Sequence, residues 1–227
     1  MNYCFHLLFL ISCATCLAQP SPDATIKIRT TPDFEIKADT NNLSWKAASW
    51  VSLTHRGGKK QYNTKFKVLY SETGFYTLFY CADKLITSTL KADFTDLYKE
   101  DVVEAFFWTD ESAKIYFEYE LSPYNYELPI MVPNTNGTFL GWLPWHYDGA
   151  RKTRRDAAIG PDHSWTAAFF IPYALLTPLG QVPPKKGTKW RCNFYRMDYD
   201  EGNSKWSWQP TDGSFHDFER FGTVLFD

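Results

Sequence analysis

The chain has 227 residues, a net charge of −2 from 24 Lys and Arg against 26 Asp and Glu, and 18% aromatic residues. The near-balance of charge excludes a nucleic-acid binder, which needs a basic footprint, and the length allows one large domain that needs no covalent staple. The 9 Trp, 14 Tyr and 18 Phe favour strands and exceed what one core holds, so some rings are expected as exposed platforms.

Residues 1–18 read as a secretory signal peptide. The apolar run from Phe5 to Leu17 is too short to span a bilayer, and Cys16-Leu17-Ala18 puts small residues where a signal peptidase reads, with Gln19 as the mature start. Leu10-Ile11-Ser12-Cys13 also resembles a lipobox, which would make Cys13 a lipid-anchored terminus. Either route exports the protein to the periplasm, the cell surface or beyond. No other segment is long and apolar enough for a transmembrane helix. Outside the leader only Cys81 and Cys192 remain; an oxidising compartment permits a disulfide, and two buried free thiols are the alternative.

Residues 19–33 are polar and Pro-bearing and read as a tether, with one added strand at Ala24 to Arg29. The domain proper is expected over 34–227. A loop at Arg56 to Lys60 precedes a hairpin of Lys65–Tyr70 and Phe75–Ala82. The connection from Asp83 to Asp101 carries four Asp and one Glu. Carboxylates clustered in this way suit a hard cation such as calcium, but no regular ligand spacing is present and a solvated acidic loop is the simpler reading. The central hairpin pairs Val102–Trp108 with Lys114–Ser122 across an acidic turn. Glu127–Val132 is a further strand. The region from Leu140 to Pro161 reads as an irregular loop with Trp142, Trp145, His146, Tyr147 and a basic run at Arg151–Arg155. Strands at Ser164–Ile171, Lys189–Met197 and Gly222–Phe226 follow, with one helical turn at Tyr173–Thr177 and the segment Lys205–Pro210 between. The recurrence of short strands between turn signals predicts an all-β fold, an antiparallel β-sandwich of about ten strands with at most one short helix.

Side chains alternate along a strand. In the second arm of the central hairpin Ile115, Phe117, Tyr119 and Leu121 share a core-facing side; Tyr116, Glu118, Glu120 and Ser122 share the other. In the first arm Glu104 stands in a doubly apolar strand, where a carboxylate needs a partner or a wet cavity. Further on, Trp190, Cys192, Phe194 and Arg196 share one face, and Arg191, Asn193, Tyr195 and Met197 the other.

The stretch Tyr98–Glu104, then Tyr116–Pro123, Trp165–Pro172, Asn193–Arg196, Trp206–Pro210, Phe215-His216 and Phe221-Gly222 together resemble the family 9 carbohydrate-binding modules, over roughly 34–227. The resemblance implies a secreted, non-catalytic sandwich that binds an oligo- or polysaccharide, often with structural calcium, and supports polysaccharide breakdown. It implies a sugar clamped between two rings: Tyr98, six residues before the Glu of Asp101-x-x-Glu104, and Trp206 or Trp208. Glu104 and Glu120 would accept from hydroxyls, with Arg196 as donor or carboxylate partner. The sequence departs from the pattern in carrying Glu120 and Ser122 where the family has Arg and Asn, Ala168 where it has Glu, and Tyr98 for Trp. Two other functions are compatible with the residues: a glycoside hydrolase using Glu104, Glu118 and Glu120, and a haem or redox domain ligated by Met197 with His146 or His163.

Overall fold

The computed structural model describes residues 24–135, 138–139, 141, 143–144 and 148–227. The leader, its cleavage or lipidation, and Trp142, Trp145, His146 and Tyr147 lie outside them. In chain order the strands are β1 (Thr25–Ile28), β2 (Val51–Ser52), β3 (Thr54–Gly57), β4 (Thr64–Tyr70), β5 (Gly74–Cys81), β6 (Val102–Trp108), β7 (Ile115–Leu121), β8 (Glu127–Thr135), β9 (Thr138–Phe139), β10 (Leu143–Pro144), β11 (Arg154–Ile159), β12 (Trp165–Pro172), β13 (Lys189–Asp198), β14 (Ser204–Ser207) and β15 (Gly222–Phe226). One helical turn, α1 (Tyr173–Leu176), follows Pro172. The larger sheet runs β1-β15-β13-β6-β7-β8-β10, with β14 pairing β13 and β3, and β9 pairing β8; the smaller runs β11-β12-β5-β4-β2. The chain is an all-β, predominantly antiparallel sandwich.

The strands beyond the expected ten are mostly short: β2, β9 and β10 have two residues each, too few to show an alternation. β11 is different. Its Arg154-Arg155-Asp156 start reads as a basic loop, yet it pairs along β12 from Arg154↔Phe170 to Ile159↔Trp165. It is an edge strand, and charge on an edge discourages pairing with another chain. The strand expected within the tether is present as β1, which pairs in parallel with β15 from Thr25↔Thr223 to Ile28↔Phe226, so the sheet begins before residue 34.

The aromatic load is distributed over three clusters, because both sheets are covered on both faces. Between the sheets lie Phe66, Phe79, Phe107, Phe169, Phe194 and Trp190 with their neighbours. On the outer face of the larger sheet Phe106, Tyr116 and Tyr195 pack under Phe218 and Phe221. On the outer face of the smaller sheet Tyr76 and Phe170 pack against Trp45. The expected platforms reduce to two: among the described residues only Tyr98 and Tyr124 are exposed rings. Cys81 and Cys192 are free, buried thiols in the central cluster.

Candidate functional site

Four adjacent strands of the larger sheet, β13, β6, β7 and β8, form the floor of a cleft of about 380 Å³ on the outer face. Alternation places Glu104 of β6, Glu118 and Glu120 of β7, Ile130 of β8 and Met197 of β13 on that floor. Glu104 lies directly opposite Glu120 on one side and Tyr195 on the other. The walls come mostly from loops: Tyr98 from the 3-10 turn Leu97–Lys99, Tyr199 and Asn203 from the turn after β13, Gly213 to His216, and Lys205 from β14. A register shift between Lys205 and Trp206 marks a bulge, the usual device for re-aiming a side chain.

The walls are tied together by hydrogen bonds. The Tyr199 hydroxyl donates to the Tyr98 carbonyl at 2.8 Å, and the Asp101 carboxylate accepts from the Tyr199 amide at 2.8 Å and the Thr87 amide at 2.6 Å. Phe215 stacks on Tyr195, ring centres 4.1 Å apart, while the Tyr195 hydroxyl donates to the Phe215 carbonyl at 2.9 Å. His216 Nδ1 is hydrogen-bonded to the Tyr116 hydroxyl at 2.7 Å.

The three floor glutamates are almost wholly removed from water, at 2%, 3% and 0% exposure for Glu104, Glu118 and Glu120. Burial pushes Glu104 up to about 8, with Lys205 pulling the other way. Burial, then the charge of Glu104, raises Glu118 well above the carboxylate range, and Glu120 is raised by burial and by both neighbours. Burial and mutual repulsion favour the protonated form across the trio, and a protonated carboxyl can donate as well as accept. Burial also lowers His216 to about 4. At neutral pH the imidazole is therefore uncharged, and its 3.7 Å approach through Nδ1 to Glu118 is not an ion pair. Glu118 Oε2 and both oxygens of Glu120 make no well-formed hydrogen bond, although Glu118 and Glu120 approach each other and the Tyr98 backbone approaches Glu120.

Of the residues singled out in the sequence, Tyr98, Glu104 and Glu120 meet in this cleft. Arg196, Trp206 and Trp208 do not, and that expectation is corrected. Arg196 lies on the inner face of β13, opposite Trp206 in register, and both are fully buried. Trp208 packs between the sheets with Phe66 and Phe194. No late tryptophan faces Tyr98. The other aromatic rings that line the cleft are Tyr199 and Phe215, two loop residues whose positions no strand pattern could supply. Glu118 could have been found, since it shares the face of Glu120.

Arg196 answers the question of calcium at the three-carboxylate cluster of Asp83, Asp198 and Asp200, whose ligand oxygens approach within 4.8 Å of one another. Its Nη2 donates to Asp83 Oδ2 at 2.9 Å and to Asp198 Oδ2 at 2.6 Å. Most of the remaining oxygens are also engaged: Asp83 Oδ1 accepts from the Lys84 and Leu85 amides, Asp198 Oδ1 from the Asp200 amide, and Asp200 Oδ2 from the Tyr62 hydroxyl, which leaves Asp200 Oδ1 as the one oxygen without a donor. A guanidinium already stands where the cation would, so this donor set does not fit calcium, which takes six to eight free oxygens. The acidic connection from Asp83 to Asp101 is likewise held by protein donors. Asp93 pairs with Arg155, Asp96 with Lys99, and Glu100 accepts from the Leu90 amide. Met197 sits on the outer face of the larger sheet, whereas His163 is exposed in the β11–β12 turn of the smaller one. The two cannot ligate one haem.

The chain has the fold of the family 9 carbohydrate-binding modules. A candidate carbohydrate-binding protein from Bacteroides uniformis superposes with a TM-score of 0.76 over 91% of this chain and 100% of that one, at 16% identity. The family 9 carbohydrate-binding module from Caldicellulosiruptor kristjanssonii, solved with cellotriose and with glucose, superposes at a TM-score of 0.66 and 16% identity. It covers 90% of this chain and 94% and 96% of the two solved chains. In sequence, a protein of Arthroderma benhamiae named "Extracellular protein" is 29% identical over 146 residues, 58% of this chain. The match spans 63% of that relative's length. No family model matches the chain.

Proposed function

We propose that the protein is an exported, non-catalytic saccharide-binding module, and that the outer-face cleft is its site. One observation carries the reading: three buried glutamates open into a cleft beside the exposed ring of Tyr98. A pyranose offers an apolar C–H face and a rim of hydroxyls. Tyr98, with Tyr199 and Phe215 on the other walls, would cover the face, and the protonated carboxyls would read the rim as donors and acceptors. The neighbours solved with cellotriose and glucose support a sugar ligand on this fold.

An aromatic ring of this kind carries ~150–250 Å² of surface. Losing half of that to a sugar contributes about 2–3 kcal/mol at ~25 cal/mol per Å². Hydrogen bonds add roughly 0.5–1.5 kcal/mol each for neutral pairs, and association costs several kcal/mol. The sum corresponds to an affinity between about micromolar and millimolar, suited to a module that works by tethering. Calorimetric titration with cello-oligosaccharides and a panel of other oligosaccharides tests the reading. Saturable binding that Tyr98→Ala abolishes supports it; no binding across the panel, or full binding by that variant, overturns it. Release of reducing ends during the same incubations would favour hydrolysis.

Export is supported by the leader-like sequence of residues 1–18 and by the name of the Arthroderma relative. The mass of the N-terminal peptide of the mature protein decides between Gln19 and a lipidated Cys13.

A further inference from the structure

We infer that the cleft selects an amine-bearing saccharide, of the glucosamine class, over a neutral one; this rests on the saccharide-binding reading above. Three carboxyl groups share the floor, and one cation, Lys205, faces them from the wall. The other titratable groups around them add no positive charge at neutral pH: His216 is hydrogen-bonded to Tyr116 and neutral, and Tyr98, Tyr199 and Tyr195 are phenols. The site thus sets three ionisable carboxyls against one cation, and an acidic sugar would add a fourth.

The orphan atoms define what is missing. Glu118 and Glu120 approach each other, and the Tyr98 backbone approaches Glu120, but Glu118 Oε2, Glu120 Oε1 and Glu120 Oε2 make no well-formed hydrogen bond, and buried acceptors ordinarily make one. A primary ammonium carries three N–H donors. A neutral hydroxyl carries one, and would leave the rest of the set unmet unless the carboxyls kept their protons. A bare divalent ion is a poorer match: among the described residues only Asp83, Asp198 and Asp200 bring three ligand oxygens within 4.8 Å of one another. The aromatic walls favour a cation on a carbon frame, since rings attract both a positive charge and C–H faces.

Binding an ammonium beside protonated carboxyls stabilises their ionised form, so protons must leave as the ligand enters. A neutral sugar demands no such release. The test is calorimetric titration of the processed protein at about pH 6, where an amine of this kind is charged. The ligands are the β-1,4-linked glucosamine trimer, its N-acetylated counterpart and cellotriose, each in two buffers of different ionisation heat. The glucosamine trimer is expected to bind at least about tenfold tighter than either neutral trimer, with proton release seen for it alone. Glu120→Gln, with folding checked by its melting temperature, should shrink that preference to near unity. If the neutral trimers bind as tightly as the glucosamine trimer, or if its binding releases no protons, the amine preference is wrong while saccharide binding stands. If none of the three binds, both readings fall.

Discussion

Glu104 and Glu120 face each other directly across β6 and β7, and neither is in contact with bulk water. Like charges directly opposite in a sheet are destabilising, and Glu118 adds a third carboxyl on the same face. The pair persists because burial keeps protons on the trio.

That arrangement makes stability depend on pH with a defined sign. Glu104 sits at about 8 in the fold against 4.5 for a free side chain. Between those values the folded chain holds a proton that the unfolded chain has lost, so stability falls as pH rises through the window. Asp101, raised to about 7 by burial, acts in the same direction above 3.8. His216 opposes them: at about 4 in the fold against 6.5 when free, it costs stability as pH falls from 6.5 towards 4. Above pH 6.5 only the acids act. The melting temperature should therefore drop between about pH 6.5 and 8.5, and Glu104→Gln should flatten the drop. A parent profile that is already level over that range would contradict protonated glutamates on the floor.

Tyr98 and Trp208 should separate binding from folding. Tyr98 is an exposed wall residue, so Tyr98→Ala is expected to change stability by no more than about 0.5 kcal/mol. Its effect should appear in saccharide affinity. Trp208 is a core ring packed on Phe66 and Phe194, and Trp208→Ala is expected to cost ~3–5 kcal/mol. Urea unfolding and binding isotherms on the two variants read both quantities. A Trp208→Ala protein as stable as the parent would mean that the ring does not fill the core.

Much of this was legible in the chain. Alternation along Ile115–Leu121 sorts Phe117 and Tyr119 inward and Glu118 and Glu120 outward, as found. The same logic applied to β13 puts Arg196 with Cys192 and Phe194, facing away from the cleft, which already argued against a ligand role. What alternation could not show is the pairing of β14. Trp206 is turned inward because it sits opposite Arg196, and register between distant strands is a tertiary fact. The walls were illegible for a related reason. Tyr199, Phe215 and His216 belong to loops, where no period constrains the side chain. β11 was missed because an edge strand can be polar and still pair.

Arg196 should be a stability residue. Its guanidinium joins Asp83 and Asp198 in a wholly buried cluster, also bonds Thr64 Oγ1 at 3.0 Å and the Ala82 carbonyl at 2.7 Å, and lies 5.0 Å from the Trp206 ring centre. Breaking a buried pair by removing one partner leaves charge uncompensated, at about 3–5 kcal/mol. Arg196→Met should lose that much, and adding Asp83→Asn and Asp198→Asn should recover part of it. Because the cluster supplies its own cation, a chelator should leave the parent's melting temperature unchanged. A loss below about 1 kcal/mol in the single variant would show that the cluster is not closed to water.

The thiols provide a test of the core itself. Cys81 and Cys192 belong to the cluster between the sheets and are fully buried. Burial pushes the Cys81 thiol up to about 12 and raises Cys192 well above the ordinary thiol value. The thiolate is the reactive form, so these groups are doubly protected, by lack of access and by lack of ionisation. Incubated with a thiol reagent under native conditions, both should stay unmodified for as long as the fold remains closed. In denaturant both should react at once without a reductant, since no disulfide holds them. Modification of either thiol in the folded protein at the rate of a free cysteine would show that the space between the sheets opens. The three-cluster packing that fixes the cleft floor would then need revision.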